Sequence, residues 1–154
     1  MDKFNDNNHS VYDGKRLRVE VYGASHAEEI GVLVDGFTKG AKYSEEELLS
    51  FLQRRRAVNQ SYSTTRIEPD LPIINSGAKD GVLNGERFFA VVKNQNKKST
   101  DYSNLIKVPR PSHADFVAWQ KYGDGFDYRG GGKFSGRMTV ALCIVGGICK
   151  QLLR

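Results

Sequence analysis

Cysteine is scarce. The 154 residues hold two, Cys143 and Cys149, six apart inside one apolar run. That spacing does not make a metal-ligand pair, and two residues so placed on one helix do not bridge. They read as small core residues in a reducing compartment, so a cytoplasmic location is expected. Histidine is equally scarce: His9, His26 and His113 lack ligand spacing, so no metal site is expected. No apolar run approaches the ~18 residues of a membrane helix, so no membrane partner is expected. The polar start MDKFNDNNHS lacks the apolar segment of a signal peptide. Internal repeats and low-complexity tracts are missing as well.

What is present describes a folded chain. Hydrophobic residues make up 39% and charged residues 27%, which excludes disorder, and the length suits one domain. The formal net charge of +5 favours anionic partners, either a phosphorylated metabolite or a nucleic acid. Residues 1–14 are expected to form a flexible tail carrying an inert His9, and 15–154 the domain. Leu17, Val19 and Val21 alternate with Arg16, Arg18 and Glu20, which predicts a half-buried strand. A second strand is predicted at Ile30–Gly36, so GASHAEE becomes a hairpin turn with His26 at its tip. Ser44 and Glu47 form a capping box for a helix through Leu48, Leu49 and Leu52 that ends in Arg54, Arg55 and Arg56. The hydroxyl-rich AVNQSYSTTR follows, ending in Arg66. Arginine forks with hydroxyls suit phosphate and carboxylate recognition, although helix-end electrostatics alone would also account for the triplet. Pro69 and Pro72 confine any strand nearby to an edge. Asn84-Gly85 predicts a turn ahead of a strand at Arg87–Lys93. Residues 94–108 read as a long polar loop carrying Lys97, Lys98 and Lys107.

The richest stretch is Pro109–Arg137. It has two predicted helix starts, at Ser112-His113 and at Ser135, with Arg110, Arg129 and Arg137 nearby. Helix starts present free N–H groups and partial positive charge, so the stretch reads as a pocket for a strongly anionic small molecule. GGGKFSGRM is not a P-loop, because Arg137 and Met138 replace the required Lys and Ser/Thr. A single RGGG entering a helix is not an RNA-binding repeat, and Phe88-Phe89 is too little aromatic surface for a nucleic-acid module. From Ser135 onward, Met138, Ala141, Leu142, Val145, Ile148, Cys149 and Leu152 predict a helix that is nearly apolar all round. It needs cover on more than one side, and Gly146-Gly147 would allow close packing.

Several tracts together resemble one family, the chorismate synthases. GASHAEEIGVLVDG resembles the family's GxSHGxxIGxxxDG. QRRR then STTRIEPD resembles its arginine helix end and TxRxExD tract, and INSGAKDGVLNG its SGVxxGxTTG. STDYS, RPSHAD, KYG with DYRGGG, and FSGR resemble the remaining run, in order, from Lys15 to Arg154. The resemblance implies an α+β fold, a β-α-β sandwich of antiparallel sheets around central helices. It implies 1,4-anti elimination of phosphate from 5-enolpyruvylshikimate 3-phosphate to give chorismate, on the route to the aromatic amino acids. Reduced FMN is the implied cofactor, NADP is associated with the family, and a homotetramer is the implied assembly. His26 is then the acid for the leaving phosphate, and His113 lies by the flavin. Arg56, Arg66, Arg110 and Arg137 clamp the substrate; His113, Ser135, Gly136 and Arg137 line the cofactor side.

Departures stand out. Ala24 replaces an acidic residue and Ala27 a glycine; Ala57-Val58 and Phe37-Thr38 replace a Pro-Gly and an apolar-Pro pair. The family is more than twice as long, and its later half carries the aspartate linked to proton removal. The expectation is a truncated or split enzyme, inactive alone, with a separately encoded C-terminal half as a partner. The alternative is a non-catalytic basic module binding anions or nucleic acid.

Overall fold

Side chains that alternate in the sequence alternate across one antiparallel sheet. In the computed structural model, which describes residues 9–57, 67–95 and 108–154, the strands are β1 (His9–Asp13), β2 (Arg18–Gly23), β3 (Glu29–Asp35), β4 (Ile73–Ser76), β5 (Ala78–Lys79), β6 (Val82–Leu83) and β7 (Phe88–Lys93). Five of them form the sheet in the order β1-β2-β3-β7-β4; β5 and β6 make a separate small hairpin. The helices are α1 (Glu45–Gln53), α2 (Asp115–Tyr122) and α3 (Thr139–Leu152). This is the α+β class expected.

One sheet face presents Val21, Ile30, Val32, Val34, Phe88, Ala90 and Val92 to α1 and α3, whose Leu48, Leu52, Val140, Ile144 and Ile148 complete the core. Fully burying a side chain of this size contributes about 1.5–3 kcal/mol. The other face carries a smaller cluster of Tyr22, Leu33, Val91 and Phe89. The capping box forms as read: Ser44 Oγ accepts from the Glu47 N–H at 3.1 Å.

Two expectations change, while the Asn84-Gly85 turn forms where it was read. His9–Asp13 is not part of a frayed tail. It pairs with β2 along its length, His9 stacks on Tyr22 with ring centroids 5.7 Å apart, and the His9 carbonyl accepts from Lys133 Nζ at 2.6 Å. A short polar edge strand has no hydrophobic signature, because polar contacts hold it: its backbone pairing, the His9 ring and the Arg18–Asp13 ion pair at 3.1 Å. The tight hairpin turn is Asp80-Gly81, with both φ angles positive, between β5 and β6. Asn84-Gly85 turns the chain toward β7, with Asn84 Oδ1 accepting from the Glu86 N–H at 2.9 Å. Finally, α3 is covered by α1 and the sheet, while Leu142 and Gly146 face outward. Gly147 packs against α1, where an added Cβ would stand 2.7 Å from Leu48 Cδ1; at Gly146 it would meet nothing within 4 Å. Among the described residues no helix is long and apolar enough to cross a membrane. Arg66, the hydroxyl-rich loop and Lys97, Lys98 and Lys107 lie outside the described residues.

Candidate functional site

Three consecutive glycines bring two histidines together. Gly130, Gly131 and Gly132 all have positive φ, a backbone path that side chains oppose. A Cβ on Gly130 would stand 2.7 Å from His26 Nε2, and one on Gly131 would stand 3.3 Å from His113 Nε2. The missing side chains are therefore the space that both imidazoles occupy. His26 comes from the β2–β3 turn and is buried, and the Ser25 N–H binds the Gly132 carbonyl at 3.1 Å, which ties that turn to the glycines. His113 precedes α2.

His113 is held by Asp115, a buried carboxylate that sequence reading passed over. Asp115 Oδ1 lies 2.6 Å from His113 Nδ1. Arg110 donates to the same carboxylate from Nε at 2.6 Å, from Nη2 at 2.8 Å and from its backbone N–H at 3.1 Å. Arg110 Nη2 also sits 3.3 Å from His113 Nδ1, but its shorter contact is the Asp115 oxygen. Nδ1 thus carries the proton toward Asp115, and Nε2 is left facing the glycine turn. Hydrogen bonding from Arg110 holds the Asp115 carboxyl down at about 2, against the cost of its burial.

These contacts revise the picture of two helix starts cradling an anion. Helix α2 starts at Asp115, not at Ser112-His113; Ser112 is a positive-φ turn residue and Ala114 makes no side-chain cap. The helix start is already occupied by the chain's own carboxylate. Arg129 is likewise held by Asp127, at 2.8 and 2.7 Å. Ser135 behaves as read: its Oγ accepts from the Arg137 N–H at 3.3 Å and caps the turn into α3.

Arg137 lies at the centre of a buried polar network. Its Nη1 donates to Asp70 Oδ1, while Arg55 Nη1 donates to Asp70 Oδ2. Its Nε donates to Asn94 Oδ1 at 3.1 Å. Its Nη2 is buried without a partner among the described residues. Arg56 is turned elsewhere, giving Nη2 to the Pro69 carbonyl; its neighbour Arg55 is the one coupled to Arg137. Gly136 is exposed with open space around it. His26, His113 and Ser135 therefore converge on the glycine turn, Arg137 joins through Asn94, which is bonded to the His26 turn, Arg110 joins through Asp115, and Arg56 does not join. Asp70 and Asp115 had no sequence signal beyond their place within the motif tracts, and Asn94, at the start of the polar loop, had none. Ala27 is not in the left-handed region, so its methyl replaces glycine without backbone strain. No cluster of metal-ligating residues occurs among the described residues.

Comparison with known proteins gives the family. The chorismate synthase family profile matches residues 17–154. The chain belongs to the chorismate synthase family. It is 45% identical over 140 residues to a chorismate synthase of Chitinophaga pinensis, covering 91% of this chain and 42% of that protein. It is 43% identical to one from Methanococcus aeolicus, covering 91% of this chain and 37% of that protein. A solved chorismate synthase superposes with a TM-score of 0.64 at 26% identity, over 92% of this chain and 34% of the other. The chain thus spans about two fifths of these relatives' length. A basic nucleic-acid module gains no support. Arg18, Arg55, Arg87, Arg110, Arg129, Arg137 and Arg154 each pair with a carboxylate and are not arrayed free along a surface.

Proposed function

We propose that this chain supplies the phosphate-leaving side of a chorismate synthase site, in which 5-enolpyruvylshikimate 3-phosphate loses phosphate and a ring proton to give chorismate. The observation that carries this reading is the convergence of His26 and His113 on one glycine turn, with Arg137 tied to the His26 turn through Asn94. In this reading His26, as imidazolium, passes a proton to the phosphate oxygen as the carbon–oxygen bond breaks. Arg137 and Arg110 orient and neutralise the substrate's phosphate and carboxylates, with Arg66 a further clamp. The group that takes the ring proton belongs to the length of the relatives that this chain does not span.

The donor set around His113 fits a reduced flavin. An imidazole fixed by an ionised Asp115 and flanked by Arg110 offers N–H donors and positive charge, which an anionic reduced ring requires. His113, Ser135, Gly136 and Arg137 would line it. Reduced FMN, when bound, supplies electron density to the departing phosphate. NADPH as the source of reducing electrons, a homotetramer and a cytoplasmic location belong to the same reading.

The test is reconstitution. The 154-residue chain is mixed with a polypeptide covering the rest of the relatives' length, reduced FMN and substrate, and chorismate is followed by its absorbance. Turnover that His26→Ala abolishes supports the reading. Absence of flavin binding, substrate binding and turnover in the mixture overturns it.

A further inference from the structure

Asn94 opens the stretch read from sequence as a polar loop, yet it is buried with only 4% of its surface exposed. Its backbone N–H donates to the Glu28 carbonyl at 3.0 Å and extends the β3–β7 pairing by one step, which fixes its Cα. Its side chain then faces two site elements at once. Nδ2 donates to the Ala27 carbonyl at 2.8 Å and the Ala24 carbonyl at 3.4 Å, on either side of His26. Oδ1 accepts from Arg137 Nε at 3.1 Å. Only an amide offers a donor pair and an acceptor from one short side chain. Asp70, buried with φ of 49°, holds the Nη1 edge of the same guanidinium. With Nε and Nη1 taken, Nη2 is the nitrogen of Arg137 left without a partner among the described residues, and it is buried. A buried donor without a partner is costly unless a ligand supplies the acceptor.

We propose that Asn94 is a positioning residue that locks Arg137 to the His26 turn, so that Arg137 Nη2 is held ready for a phosphate or carboxylate oxygen of the substrate while His26 stays in proton-transfer reach. This rests on the function proposed above. The clamp's two halves are separable by chemistry. Asn94→Asp keeps an acceptor for Arg137 but has nothing to donate to Ala24 and Ala27. Asn94→Ala loses both.

The 154-residue chain carries the test. Arg137 Nε–H exchange and the His26 imidazole signals are read by NMR, and affinity for 5-enolpyruvylshikimate 3-phosphate is read by calorimetry. Asn94→Ala speeds Arg137 Nε–H exchange and weakens substrate binding, each by about tenfold or more, as expected for losing a hydrogen bond to a charged group. Asn94→Asp leaves Arg137 Nε–H protected but shifts the His26 signals. If Asn94→Ala does not fold, the near-isosteric Asn94→Asp decides alone by that split. Wild-type Arg137 and His26 signals in both variants would overturn the clamp, as would a loss of melting temperature with the two signals unmoved. If the unsubstituted chain binds no substrate even when mixed with the rest of the relatives' length, while the signals split as described, the clamp stands and the functional reading falls.

Discussion

Gly130 shows how one missing side chain sets a site. It has φ of 57°, and a Cβ there would stand 2.6 Å from His26 Cδ2. Gly130→Ala is expected to push His26 aside and to cost roughly 1–2 kcal/mol from the left-handed backbone alone, read by urea denaturation and by the His26 imidazole signals. Gly136→Ala, with φ outside that region and open space around it, is expected to change stability by less than about 0.5 kcal/mol. Asp115 gives a pH signature. Its folded value of about 2 lies below its ordinary 3.8, so its pairing stabilises the fold above that ordinary value. That contribution is lost as pH falls through about 2, and it amounts to about 2 kcal/mol. Asp115→Asn should therefore lower stability near neutral pH by about that amount, with the gap from the parent closing as pH approaches 2. Equal gaps at pH 7 and at pH 2 in denaturant melts would contradict this, in numbers taken from the carboxyl's own range.

At the scale of elements, α3 has two unlike faces. Ile144 and Ile148 are fully buried between α1 and the sheet, whereas Leu142 is exposed. Ile148→Ala should cost about 2–5 kcal/mol and Leu142→Ala less than about 1 kcal/mol, by the same denaturation assay. The paired glycines separate in the same way. Gly146→Ala gains helix propensity of about 1 kcal/mol with nothing in its path. Gly147→Ala pushes into Leu48, itself buried and unable to swing away, and is expected to lower the melting temperature through about 1–3 kcal/mol of overpacking. The periodicity of the helix was legible because apolar residues recur every three or four positions. Which of its faces would be covered was not, since an all-apolar pattern has no preferred direction.

Over the whole molecule, the sheet is bounded by β1 and β4, and β1 reaches the site through one long-range contact. Lys133, next to the glycine turn, donates to the His9 carbonyl, and Tyr22 stacks on the His9 ring. Removing residues 1–13 should destabilise the fold by on the order of 1–3 kcal/mol and expose Tyr22, visible as a change in tyrosine fluorescence. A chain in which those residues were only a tail would melt unchanged. The charge of the molecule is also organised at this scale. Among the described residues Arg55, Arg110 and Arg137 are held against carboxylates, so the excess behind the net charge of +5 lies with the cations outside such pairs.

Local patterns were enough for much of this. Alternation at Val19 and Val21, the Ser44–Glu47 cap and the apolar period after Ser135 each depend on neighbours within a few residues, and each formed where the sequence placed it. The ordered motif tracts marked His26, His113 and Arg137, since a run of motifs in fixed order identifies a family whatever the fold between them. Tertiary structure decided what those residues touch. Asn94 lies 43 positions from Arg137, and Asp70 lies 67 positions from it. No periodicity or spacing encodes such a contact; it exists because β7, the β2–β3 turn and the start of α3 are carried together by one core. The sequence could name the arginine, but only the folded chain shows which of its nitrogens is left to bind.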